Sequence, residues 1–119
     1  SVLRQLADRG LPYDAARGRA ALARLAAPSE QRLIVQLTKY PEVVESAALA
    51  RAPHALVTYL RELATDFHGA YAAGNENPEL RFIVDDAELR DARLALVHAA
   101  RQVIRNGLGL LGVSAPESM

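Results

Sequence analysis

One apolar stripe constrains this chain more than anything else in it. Leu56, Leu60, Leu63, Phe67 and Tyr71 follow one another at steps of four, three, four and four residues. That is the repeat of one face of an α-helix, whereas a strand would alternate at every second position. The run from Pro53 to about Gly74 predicts a long amphipathic helix, with Gly74-Asn75-Glu76-Asn77-Pro78 as its stop. A helix gains most of its stability by burying such a stripe against other elements. The rest of the chain supplies partners of the same kind. Half of the residues are hydrophobic, mostly Ala and Leu, and only 5% are aromatic, and Ala and Leu are strong helix formers. The expected fold class is all-α: a bundle of five to six helices with short connections, forming one domain over residues 1–119.

The remaining helices follow from caps and periodicity. Val2, Leu3 and Leu6 make a short first helix that Gly10 ends. Pro12 and Asp14 open a second, reaching about Ala26 with Leu22 and Leu25 as its anchors. Ser29 is the expected N-cap of a third, from Glu30 to about Lys39, whose buried face is Leu33, Ile34 and Leu37. Pro41 begins a fourth. Phe82-Ile83-Val84 is expected to pack a loop against the bundle. Asp85 or Asp86 caps the last helix, from about Ala87 to Asn106, which buries Leu89, Leu96, Val103 and Ile104 and ends at Gly107. No cap precedes Val2, which suggests a chain cut from a longer one.

Several chemistries find no support. The chain has no cysteine, which removes disulfides, thiolate metal sites and cysteine nucleophiles. No apolar run approaches the ~20 residues of a membrane span. Gly107 to Gly112 spells G-x-G-x-x-G, but it follows a helix where a dinucleotide fingerprint follows a strand. A C-cap and an apolar tail are expected there. His54 and His68 lie about 21 Å apart along one helix, and His98 is on another element, so no metal site is expected. Glu62 and Asp66 share a helix face, a spacing common on any solvated surface, and no catalytic residue is expected in this chain.

Fourteen basic residues balance fourteen acidic ones. Neutrality argues against nucleic-acid binding by bulk electrostatics alone. The charge is unevenly placed, however: residues 1–40 carry seven basic and three acidic groups, residues 41–80 two and six, and residues 81–119 five of each. Arg90, Arg101 and Arg105 share one face of the last helix. This is either a solvated helix surface or a cationic ridge for phosphates or a partner.

Four segments, in order, carry a family resemblance. They are Tyr40-Pro41-Glu42-Val43-Val44 before Ala47-Ala48; Pro53-His54, Tyr59-Leu60, Leu63-Ala64 and Phe67-His68-x-x-Tyr71; Arg90-x-x-Arg93-Leu94-x-Leu96; and Val103-Ile104-x-x-Gly107-Leu108-x-Leu110-Leu111-Gly112 with Ala115-Pro116-x-x-Met119. Together they resemble the C-terminal, DALR-type anticodon-binding domain of the class I arginyl-tRNA synthetases. The D-A-L-R stretch reads Asp91-Ala92-Arg93-Leu94 here, its last two letters exchanged.

The resemblance implies an all-helical domain that grips the anticodon stem and loop of tRNA(Arg). The enzyme joins arginine to its tRNA with ATP, in the cytoplasm. The family's H-I-G-H and K-M-S-K-S signatures are absent from this chain. The resemblance therefore places ATP in a catalytic domain outside it, which becomes a second partner, and implies no cofactor in this segment and no membrane or DNA partner. By position, Phe67 and Tyr71 would stack on anticodon-loop bases, Met119 would pack against the loop, and Arg101 and Arg105 would contact the stem backbone. Ala70 stands where the family often has another aromatic. Phe67 also fits the core, as part of the leucine stripe. The competing reading of the neutral surface is a helical protein–protein interaction module.

Overall fold

A computed structural model describes residues 2–114, with side chains through Gly112. Its six α-helices are α1 (Val2–Asp8), α2 (Ala15–Ala20), α3 (Pro28–Thr38), α4 (Tyr40–Ala50), α5 (Pro53–Glu76) and α6 (Ala87–Ser114). Short 3-10 turns at Leu22–Arg24 and Pro78–Leu80 join them, and no strand occurs among the described residues. The long helices α5 and α6 pack together and form the spine; α3 and α4 cover α5, and α2 lies on α6. Leu25, Leu33, Leu63 and Leu94 are wholly buried where these helices meet. Burying each such side chain contributes about 1.5–3 kcal/mol.

Local signals account for most boundaries. Gly10 takes φ +63° and closes α1, with the Leu11 N–H donating to the Leu6 carbonyl at 3.2 Å, the pattern of a left-handed helix stop. Asp14 caps α2 by accepting from the Arg17 N–H at 3.1 Å. The cap of α3 is shifted from the expectation. The helix starts at Pro28 rather than Glu30, because proline suits the first helical position. Glu30 then reaches back to the Ala27 N–H at 3.3 Å, so Ser29 is not the cap. α2 is also shorter than expected. After the Leu22–Arg24 turn it is Leu25 that is buried, while Leu22 is exposed.

The largest difference lies in α6. It does not stop at Gly107 but continues to Ser114. A Cβ on Gly107 would sit 2.8 Å from both terminal carbons of Leu60. The glycine is there for close approach of α5, not for a left-handed turn. The G-x-G-x-x-G string is thus helix interior, its backbone N–H groups committed to the helix. A second close approach joins α2 to α6: a Cβ on Gly18 would meet the Asp91 carbonyl carbon at 2.8 Å. Similarly, α5 runs through Gly74, and it is Asn77 before Pro78 that ends it.

Asp86 caps α6, as expected, accepting from the Leu89 N–H at 3.2 Å. It also receives Arg24 at 3.0 and 2.5 Å. The Arg24 guanidinium first, and the Leu89 N–H second, lower its carboxyl from 3.8 to about 2. A depressed carboxyl favours the folded state above its unfolded value. That contribution fades as pH falls from near 3.8 through about 2. An NMR titration of the Asp86 carboxyl carbon should give a midpoint near 2, and Arg24→Ala should move it back toward 3.8. An unmoved midpoint would remove the ion pair as the cause.

Candidate nucleic-acid interface

A groove of about 690 Å³ runs between α1, α5 and α6. Its floor is apolar, built from Val2 and Leu3 of α1, Phe67 of α5, and Val97, Ala100 and Ile104 of α6. Its rim is exposed and polar: His68 and Tyr71 from α5, Arg101 and Arg105 from α6. Helical spacing makes this arrangement. Positions 67, 68 and 71 share one face of α5, and 97, 100, 101, 104 and 105 one face of α6. Two helices packed side by side then turn both sets into one trough.

The aromatic side is anchored from below. Phe82, buried in the loop before α6, stacks on Phe67 with centroids 5.5 Å apart and planes at 21°. It also touches Tyr71 at 6.3 Å, tilted 42°. Phe67 is half-buried, so it both packs on the core and lines the groove. Tyr71 is 40% exposed and offers its ring to solvent. Ala70 is buried, so a larger side chain there would face the core rather than the groove.

No carboxylate among the described residues lines the groove. The acidic middle of the chain turns elsewhere: Glu42 and Glu62 line a hollow on the α4 side, with Lys39. Asp66, one residue before Phe67, is rotated about 100° from it around α5. Arg101 and Arg105 enter no ion pair among the described residues. Arg90 does not join them. It is buried, with one guanidinium nitrogen donating to the Val84 carbonyl at 3.0 Å, so the ridge is two arginines rather than three.

The groove thus gathers Phe67, Tyr71, Arg101 and Arg105, while Met119 lies outside the described residues. Sequence reasoning missed His68 and the α1 wall, although Val97, Ala100 and Ile104 do form a helical stripe. No group of three metal-ligating side chains occurs among the described residues, and no described helix is long and apolar enough to cross a membrane. His98 instead stacks on Tyr13 at 4.8 Å. An apolar floor, exposed aromatics and unpaired guanidiniums suit a flat base with a phosphate beside it.

The DALR anticodon binding domain model matches residues 1–119. The chain belongs to that family. It is similar to the arginine–tRNA ligases of Halorhodospira halophila (57% identical), Thioalkalivibrio sulfidiphilus (51%) and Coxiella burnetii strain CbuK_Q154 (47%). Each match covers 100% of this chain and 19% of the relative, so the chain spans about a fifth of their length. No solved structure matches it.

The stretch that gives the DALR family its name does not line the groove of this member. It holds the domain together. The Asp91 carboxylate, 0% exposed, accepts from the Asp14 N–H at 3.2 Å and from Arg17 Nε at 2.5 Å. Arg93 donates through Nε to Glu30 at 3.0 Å, and through one terminal nitrogen to the carbonyls of Glu79 and Arg81 at 2.6 and 2.7 Å. Ala92 and Leu94 are fully buried between these polar grips. Arg93 thereby fastens α6 to α3 and holds the turn that carries Arg81 and Phe82 toward the groove.

Proposed function

We propose that this domain recognises the anticodon stem and loop of tRNA(Arg) on behalf of an arginine–tRNA ligase. One observation carries the reading: in a DALR anticodon-binding domain, Tyr71, Phe67, Arg101 and Arg105 converge on one groove that no described carboxylate lines. Single-stranded loops are read by stacking of splayed bases and by contacts to their edges. Tyr71 offers the stacking surface with Phe82 behind it, Phe67 lines the groove alongside, and Arg101 and Arg105 hold adjacent phosphates. Met119 adds an apolar contact to the loop. Activation of arginine with ATP belongs to a catalytic domain outside this segment, and the enzyme works in the cytoplasm. The family membership favours RNA recognition over a protein–protein interaction module.

Binding of a labelled tRNA(Arg) anticodon stem–loop hairpin, titrated at rising salt, tests this. Each neutralised phosphate of a single strand adds about 0.7 to the log–log salt slope. The double variant Arg101→Gln, Arg105→Gln should therefore flatten the slope by about 1.4. It should leave thermal melting unchanged, because both side chains are exposed. An absence of RNA binding at low salt would overturn the reading and return the protein-module alternative.

A further inference from the structure

Tyr71 borders two concavities. The second, of about 280 Å³, shares only Val2 and Tyr71 with the main groove among its lining residues. Phe82 and Ile83 form its apolar base, and its polar groups are Gln5, Arg9, Asn75 and Arg81. We propose that this hollow is a second nucleotide subsite, which holds the base and phosphate of the nucleotide next to the one stacked on Tyr71. The inference rests on the anticodon-loop reading of the main groove and extends it to base selection.

The chemistry of the hollow differs from that of the groove. Arg9 and Arg81 line it, and no carboxylate among the described residues does. Gln5 and Asn75 each present a carbonyl acceptor and an amide donor, the pair that reads a base edge. The main groove has no such amide among its lining residues. The first site therefore stacks without selecting, and the second supplies selection.

Arg81 is held in place before any ligand arrives. Its Nε donates to the Gly74 carbonyl at 3.1 Å, and its own carbonyl accepts from Arg93 at 2.7 Å. Gly74 has no Cβ, and one would fall 3.0 Å from the Arg81 Cα. The turn thus lies directly on α5, and the Arg81 side chain that lines the hollow is anchored through its Nε. A guanidinium positioned in advance loses less conformational entropy on binding. Arg9, exposed just after α1, lines the same hollow.

The test compares Arg9→Gln, the double variant Gln5→Ala, Asn75→Ala, and Tyr71→Ala in the intact protein that carries the domain. The probe is a labelled anticodon stem–loop hairpin, used with a set of hairpins that differ at one loop position at a time. Arg9→Gln should weaken binding of every hairpin roughly five- to ten-fold and lower the salt slope by about 0.7. The amide double variant should keep the salt slope. It should lose about ten-fold of the discrimination at one loop position, adjacent to the position that Tyr71→Ala affects. Wild-type slope and discrimination in both hollow variants, with binding weakened by Tyr71→Ala, would overturn the second subsite and leave the groove standing. Failure of the unmodified protein to bind any hairpin would overturn both.

Discussion

Arg93→Ala is expected to lose about 3–5 kcal/mol of stability, the usual cost of breaking a buried ion pair from one side. Arg93 is 4% exposed and Glu30 5%. Without the guanidinium, the Glu30 carboxylate stays buried with the Ala27 N–H as its remaining hydrogen-bond donor. The Glu79 and Arg81 carbonyls also lose a donor. A domain has only about 5–15 kcal/mol in total, so urea unfolding should shift far to lower concentration or disappear. The double variant Glu30→Met, Arg93→Met should recover part of the loss, because no charge is then left unpaired. A single variant as stable as the unmodified chain would show that the pair contributes nothing.

Tyr71→Ala is expected to weaken tRNA binding by about 5- to 150-fold, the ~1–3 kcal/mol of one base–aromatic stack. Tyr71 is 40% exposed, and its ring contact among the described residues is with Phe82, so melting should change little. Tyr71→Phe keeps the ring and should keep most of the affinity. On the proposed function, a ligase that carries this domain should show the defect as a raised KM for tRNA, with KM for arginine unaltered. Equal affinity of the alanine variant and the unmodified protein would exclude stacking at this position. A phenylalanine variant as weak as alanine would instead assign the effect to the hydroxyl.

Elements held by short-range interactions are legible in the sequence. The stripe from Leu56 to Tyr71, the Asp14 and Asp86 caps and the Gly10 stop all act through residues within about four positions of one another. The family resemblance also named Phe67, Tyr71, Arg101 and Arg105, four residues that line one groove. Glycine was where local reasoning misled. Gly107 reads as a helix stop in the sequence, but the meaning of a missing Cβ there depends on Leu60, forty-seven residues away.

Arginines were opaque for the same reason. Arg90, Arg93, Arg101 and Arg105 all lie on one helix, yet two are buried structural donors and two line the groove. The partner that buries Arg93 is Glu30, sixty-three positions distant. A charge count cannot separate a paired guanidinium from a free one. Helix content, caps and family were thus encoded in near-neighbour chemistry, legible along the chain. The groove and the hollow that shares Tyr71 with it arise only from packing, because their walls are drawn from α1, α5, α6 and the turn at Arg81. Those segments are distant in the chain and meet only when the core closes.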